Sequence, residues 1–180
     1  LDISQLINQL CIKFKEEAAE AIDSAILPFL QKVLTVQGNG RDMGDDNGVT
    51  PPPHLITEQL SIRKQAFSTL QHIAAHNVSK VLYSQTNVSS MGDVLKLMSD
   101  GASTVPDPTM NKTCTQFFGA LIQQWGCISD SQSHVPPIQV SNAFFDFVYD
   151  VFVPGMFSTI IATTTFNVND AIHRRVLAEF

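Results

Sequence analysis

Residues 106–126 read PDPTMNKTCTQFFGALIQQWG, and this stretch predicts the fold class most directly. Asp107 is a natural N-cap residue, and Pro108 takes the first helical position, where a missing N–H costs nothing. Gly126 is a common residue at the end of a helix. Between these ends, apolar residues recur with the three- and four-residue spacing of one helix face: Met110, Cys114, Phe117, Phe118, Leu121, Ile122 and Trp125. The stretch is therefore predicted to be an amphipathic helix.

The same apolar spacing recurs on both sides of this helix. It predicts about three helical pairs, over residues 1–37, 55–103 and 107–165, and a final helix over 168–180. No stretch alternates polar and apolar residues with the period of two that indicates a strand. We therefore expect an all-α chain whose residues 1–180 form a single α-solenoid fragment of HEAT-like antiparallel helical pairs. The helical patterns continue to both ends, so we also expect a piece of a longer superhelix.

Proline and glycine predict where the helices are interrupted. Residues 38–54 read GNGRDMGDDNGVTPPPH and are expected to form a flexible, acidic, proline-rich loop. Pro28 should kink its helix or mark a restart, and Pro154 with Gly155 should kink or break the aromatic helix near 144–157. The second half of the second pair is less regular and is predicted to contain two short helices, at 78–83 and 88–102.

The composition restricts the classes of function. The net charge is −6, with 11 Lys and Arg against 17 Asp and Glu, whereas a free-standing nucleic-acid-binding domain is usually strongly basic. Charged residues make up only 16% of the chain, so much apolar surface must find a partner. The three cysteines, Cys11, Cys114 and Cys127, are expected to be free thiols in a reducing compartment. No signal peptide or membrane-spanning run is present in the sequence.

No motif in the sequence indicates catalysis. His72 and His76 have the spacing of the zinc-protease motif, but Ile73 stands where that motif needs its Glu, so a surface histidine pair is expected. Asp146 and Asp150 are expected to lie on a solvated helix face. The aromatic run of Phe144, Phe145, Phe147, Tyr149, Phe152 and Phe157 is expected to be core rather than a base-stacking platform. We therefore predict no enzyme activity, no catalytic or metal site and no cofactor.

Basic residues are the remaining candidates for contacts with RNA phosphates. Arg63 and Lys64 are adjacent on the predicted third helix, and Arg174 and Arg175 are adjacent on the last. Adjacent basic side chains on one helix are usually solvated and contact nothing. The four residues are therefore weak candidates for tRNA binding, and the sequence alone does not choose among them.

Five stretches of the chain, in register, resemble the C-terminal region of the exportin-T family of tRNA exporters. They are LINQLCIKFK at 6–15, ILPFLQKVL at 26–34, EQLSIRKQAFSTLQHIAAH at 58–76, the 106–126 stretch quoted above, and FFDFVYDVFVPGMF at 144–157. The resemblance covers nearly the whole chain, except the loop at 38–54. It implies a karyopherin of the importin-beta superfamily, whose HEAT repeats curl around cargo.

The resemblance implies a nuclear export receptor that binds mature tRNA together with Ran-GTP and carries it from nucleus to cytoplasm. The expected partners are then tRNA, Ran-GTP, mainly through repeats absent from this chain, and nuclear pore proteins, with no membrane contact. GTP hydrolysis belongs to Ran, so the receptor needs no catalytic residue. The alternative is a HEAT-repeat scaffold that binds only proteins, for which we expect an acidic face without exposed Lys or Arg.

Overall fold

The computed structural model describes residues 2–41, 52–103, 107–126, 135–162, 167 and 169–179. All regular structure in these residues is helical, and none of them lies in a strand. This confirms the all-α prediction for the part of the chain that is described. The α-helices found there are α1 (Asp2–Phe14), α2 (Ala19–Arg41), α3 (Pro53–Ala75), α4 (Met91–Ser103), α5 (Pro108–Gly126), α6 (Ile138–Phe147), α7 (Val153–Ala162) and α8 (Ala171–Glu179).

Shorter helical turns join several of these helices. A 3-10 turn at Lys15–Ala18 connects α1 to α2, and Lys15 opens it with a φ of 48°, which is rare for a residue with a side chain. Two further 3-10 turns, Ser79–Tyr83 and Val88–Ser90, lead into α4. The two short helices predicted here are therefore present, the first and the start of the second as 3-10 turns.

The start of α5 has the predicted capping geometry. The Asp107 carboxylate accepts hydrogen bonds from the backbone N–H groups of Thr109 and Met110, at 2.9 and 3.2 Å from Oδ1. These two donors have no partner inside the helix, so the cap satisfies them. Pro108 is the first residue of the helix, as its fixed φ favours.

The aromatic helix is not broken at Pro154, which corrects one of the two outcomes predicted there. A five-residue π-helical turn, Val148–Phe152, joins α6 to α7 directly before the proline. In it the Val153 N–H donates to the carbonyl of Val148, five residues back. The wider turn opens the backbone where proline lacks a donor and its ring needs space, so the helix continues through Pro154.

The bounds of α2 and α3 also differ from the prediction. Helix α2 passes through Pro28 without a restart and reaches Arg41, so residues 38–41 of the expected loop are helical. Glycine costs about 1 kcal/mol in a helix but does not forbid one, and the prediction gave Gly38 and Gly40 too much weight. At the other end α3 begins at Pro53, the first helical position. Residues 42–51 lie outside the described residues.

The helices pack in two rows. The first row consists of α1, α3, α5 and α8, each beside the next. A 2.6 Å hydrogen bond joins the hydroxyls of Ser4 on α1 and Thr69 on α3. Gln124 near the end of α5 donates to the carbonyl of Ala74 near the end of α3, so these two helices run in the same direction.

The second row consists of α2, α4, and α6 with its continuation α7. Asn87, just before α4, donates 3.0 Å hydrogen bonds to the backbone carbonyl and the carboxylate of Asp23 on α2. Thr159 on α7 donates to the carbonyl of Ser103 at the end of α4, at 2.9 Å. The core lies between the two rows, where α3 contacts α2 and α5 contacts α4.

Helices α3, α4 and α5 approach most closely at Gly101. A Cβ atom built on Gly101 would lie 2.6 Å from the Cys114 Sγ and 2.8 Å from two ring carbons of Phe67. Cys11 and Cys114 are free and buried, as predicted, while Cys127 lies outside the described residues. Burial raises the pKa of the Cys11 thiol to about 11 and raises that of Cys114 further, so both thiols stay protonated and unreactive.

Candidate nucleic-acid interface

Lys64 is held by the residue that caps α5. Its ammonium lies 2.7 Å from the Asp107 Oδ2, while Oδ1 of the same carboxylate caps the helix. Burial by itself would raise the pKa of Asp107, but the hydrogen bond and charge of Lys64 and the two backbone donors outweigh it and hold the pKa below its usual value. The Lys64 side chain is still 50% exposed, so it can reach a ligand only by sharing or releasing this ion pair.

Arg63 folds back onto the protein body. Its guanidinium carbon lies 5.3 Å from the centre of the Phe67 ring, within the range of a cation–π contact. Arg63 is only partly exposed, and its charge lowers the pKa of Cys114, which burial raises by a larger amount. The adjacent candidates Arg63 and Lys64 therefore both have structural contacts within the first row.

Arg174 and Arg175 lie exposed on α8, which packs beside α5. Helix α8 begins at Ala171, and the Asp170 carboxylate before it accepts a hydrogen bond from the His173 N–H at 3.3 Å. Among the four candidate residues, Lys64 and these two arginines are exposed, whereas Arg63 is only partly so. All four lie on the first row, but the structure gives no contact that joins the two pairs.

The two rows differ in charge, a feature that the sequence analysis missed. The first-row helices contain six basic and three acidic residues, and the second-row helices contain three basic and five acidic residues. In the first row the basic residues are Lys13, Arg63, Lys64, Lys112, Arg174 and Arg175, and the acidic ones are Asp2, Glu58 and Glu179, with the cap residues Asp107 and Asp170 just outside α5 and α8. In the second row the basic residues are Lys32, Arg41 and Lys96, and the acidic ones are Glu20, Asp23, Asp93, Asp100 and Asp146, with Asp150 on the π-helical turn between α6 and α7. The net charge of −6 conceals this separation, because it appears only once the helices are assigned to rows.

The two histidines, one in the last turn of α3 and one just after it, lie close together. The His72 and His76 ring centres are 5.6 Å apart, and the His72 Nδ1 donates to the Ser68 carbonyl at 2.8 Å. Burial lowers the pKa of His76, and the neighbouring His72 and Lys15 lower it further. Within the described ranges, no group of three or more His, Cys, Asp or Glu side chains could hold a metal ion.

The aromatic run is only partly core. The Phe118 ring on α5 stacks on Phe152 at 3.9 Å between ring centres and lies near Phe144, and all three are buried. Tyr149 and Phe157, however, are 70% and 50% exposed, which corrects the expectation that the whole run is buried. They lie on the outer face of the second row because one helix face cannot hold every residue of a run this dense.

Comparison with known proteins identifies the family. A sequence model of the family described as Exportin-T matches residues 2–180. The chain belongs to the exportin-T family. It is 27% identical to exportin-T of Danio rerio and of Homo sapiens over 166 residues, which is 92% of the chain and 15% of each relative. It is 25% identical to exportin-T of Oryza sativa subsp. japonica over 174 residues, 97% of the chain and 17% of the relative.

Members of the exportin-T family are nuclear export receptors, and this chain corresponds to a small part of such a protein. It spans about a sixth of the length of the curated relatives that it matches. No solved structure matches the chain. In the part of the chain that the structure describes, no helix is both long and apolar enough to cross a bilayer.

Proposed function

We propose that this chain is a segment of a nuclear export receptor that binds mature tRNA together with Ran-GTP and carries it from the nucleus to the cytoplasm. The observation that carries the proposal is the match of residues 2–180 to the exportin-T family. The receptor would shuttle between the two compartments and contact nuclear pore proteins on the way. It needs no catalytic residue of its own, because in this scheme the energy of release comes from GTP hydrolysis on Ran.

The packing supports a stretch of α-solenoid as the architecture behind this function. Helices of the first row follow one another side by side, and in the second row α4 contacts α7 while Asn87, just before α4, bonds to Asp23 on α2. Successive helices lying side by side are what stacked antiparallel helical pairs produce. Helix α1 also exposes an apolar stripe, Ile3, Leu6 and Phe14, at 63%, 60% and 52%. In a longer solenoid, a neighbouring helical pair would cover this stripe.

We propose that Arg174 and Arg175 are the residues of this segment that contact RNA. Lys64 and Arg63 are weaker candidates. The arginines are exposed on the basic row, whereas Lys64 would have to weaken its 2.7 Å ion pair with Asp107. Recognition of a folded RNA by its shape needs only a few basic side chains projecting from a curved wall. An acidic second row would repel other RNA that meets the wall at random.

The direct test is a mobility-shift measurement with the complete receptor, labelled mature tRNA and Ran. We expect a ternary complex with Ran held in its GTP form and little RNA bound with Ran-GDP. A receptor that binds tRNA no better with Ran-GTP than with Ran-GDP would contradict the proposal.

The proposed contact residues need a separate test, based on the salt dependence of tRNA binding. Arg174→Ala with Arg175→Ala should weaken binding and flatten the slope of log affinity against log salt by roughly 0.7–0.9 for each phosphate that the two arginines neutralise. The matched control is Lys32→Ala with Lys96→Ala, which removes two exposed lysines from the second row. Equal effects of the two double variants would refute a role for α8.

The alternative, a scaffold that binds only proteins, is favoured by one observation, the excess of carboxylates on the second row. Exposed Lys32 and Lys96 interrupt this face, so it does not fully match the wholly acidic face expected for that alternative. The mobility shift separates the two functions, because a protein-only scaffold would bind Ran-GTP or other proteins without retarding tRNA.

A further inference from the structure

An apolar groove lies in the second row, between the start of α4 and α6. It encloses about 290 Å³ and is lined mainly by aliphatic and aromatic side chains. Those used below are Met91 and Leu95 on α4 and Val140, Ala143 and Phe147 on α6. The two helices run in the same direction here, since their first turns line the groove and Thr159, further along on α7, donates to Ser103 at the end of α4.

Carboxylates stand beside this groove. Asp146 immediately precedes Phe147 and lies one turn after Ala143, and Asp150 lies one turn further along. Both carboxylates are exposed, and neither forms an ion pair within the described residues. They give the α6 side of the groove a negative charge.

Part of the lining of the groove is open to solvent. Val88 before α4 is 43% exposed, and Ala143 on α6 is exposed as well. Single exposed apolar residues are ordinary, but apolar side chains left open within one concavity mark a contact surface.

We propose that this groove binds an amphipathic helix of a partner protein, with aliphatic residues on one face and Lys or Arg beside them. A groove between two helices accepts the side chains of a third helix at i, i+3, i+4 and i+7, which is a common mode of peptide recognition. The carboxylates of Asp146 and Asp150 set the charge of the ligand, because opposite charges around an apolar contact speed association and exclude acidic partners. The same carboxylates disfavour RNA at this face. The inference rests on this geometry alone and does not require the proposed function.

The test uses fluorescence anisotropy with a labelled Leu/Lys peptide of about five helical turns, patterned to form an amphipathic helix. Two peptides serve as comparisons: one with Glu in place of every Lys, and one with Ser in place of every Leu. The Leu/Lys peptide should bind the full chain at least about tenfold more tightly than either. Equal binding of the Lys/Ser peptide would overturn the proposal, since charge alone would then suffice.

Variants of the chain assign the binding to the groove. Ala143→Arg should weaken binding of the Leu/Lys peptide at least about tenfold, because the new side chain fills the groove and repels a basic ligand. Ala21→Arg, an equally exposed alanine on α2, makes the same change of charge elsewhere on the row and should leave affinity unchanged. Asp146→Lys with Asp150→Lys should weaken binding about threefold to tenfold at low salt, and Glu17→Lys with Glu20→Lys should not.

Three results would overturn the inference. The first is an Ala143→Arg chain that binds the Leu/Lys peptide like the wild type. The second is a dimer of the chain in sedimentation that Ala143→Arg abolishes, since the occupant would then be a second copy. The third is protection of the groove by tRNA rather than by the peptide in hydrogen exchange.

Discussion

Replacing Gly101 by alanine should destabilise the chain, although alanine is the better helix former. Gly101 lies within α4, where Ala is favoured over Gly by about 1 kcal/mol. The new methyl group, however, would lie 2.6 Å from the Cys114 Sγ and 2.8 Å from the Phe67 ring. Both neighbours are completely buried, so neither can move aside into solvent.

The magnitude follows from these opposing terms. Overpacking of a tight core costs about 1–3 kcal/mol, and contacts this short lie towards the upper end of that range. Subtracting the propensity gain leaves a net loss of about 1–2 kcal/mol. Gly119 in α5 provides the matched control, because nothing lies within 4 Å of the position that a Cβ atom would take there. Gly119→Ala should therefore stabilise the chain by about 0.5–1 kcal/mol.

Equilibrium unfolding in urea, followed by far-UV circular dichroism, measures both variants. The midpoint of Gly101→Ala should fall and that of Gly119→Ala should rise, with an unchanged slope. Gly101→Ser should be at least as destabilising as Gly101→Ala, because it adds a larger group at the same place. The reasoning is refuted if Gly101→Ala is as stable as the wild type, since α3, α4 and α5 would then not meet at this position.

Four further predictions follow from particular residues. Asp107→Ala should cost about 1 kcal/mol of stability for the lost cap and a few tenths for the half-exposed ion pair, while Asp107→Asn should retain most of the cap. Because the pKa of Asp107 is lowered from 3.8, its contribution to stability should be present above that pH and disappear as the pH falls through the lower folded value. Urea unfolding at neutral and acid pH measures both effects. The pKa of the His76 imidazole should lie below 6.5 by NMR, and Lys15→Gln should raise it, because a neighbouring positive charge is removed. Since the unfolded chain binds the proton more tightly than the folded chain, the contribution of His76 to stability should decline as the pH falls below 6.5. The 180-residue chain by itself should bind tRNA weakly or not at all in filter binding at moderate salt, given its net charge of −6, and tight binding would contradict this. The exposed stripe on α1 should cause self-association in light scattering, and Leu6→Glu should reduce it; a clean wild-type monomer at high concentration would count against the stripe.

The sequence predicted the local structure well where single residues determine it. Asp107 and Pro108 identified the start of α5, because capping depends on residues within one turn. At Pro154 the sequence predicted a kink or a break, and the structure shows that the helix is not broken. A proline indicates a disturbed helix, but whether the helix breaks or widens into a π turn depends on the packing around it, which the sequence pattern does not specify.

Less of the candidate interface could be predicted from the sequence. The pairing of Lys64 with Asp107 depends on how α3 packs beside α5, which the sequence pattern does not specify. The contact of Arg63 with Phe67 joins residues four apart on α3, so the spacing could have indicated it. The contrast in charge between the two rows likewise depends on which helices share a row. The groove between α4 and α6 has no sequence signature, because its lining residues have the periodicity of ordinary core positions.

The central claim, that this chain serves a receptor for tRNA export, is tested most directly in cells. The measurement is the ratio of nuclear to cytoplasmic mature tRNA, by in situ hybridisation, after depletion of the protein that contains the chain. We expect tRNA to accumulate in the nucleus on depletion, and the complete protein to restore the wild-type ratio while a version without residues 1–180 restores it less. A ratio that stays unchanged after depletion, in cells where no other carrier is induced, would contradict the account.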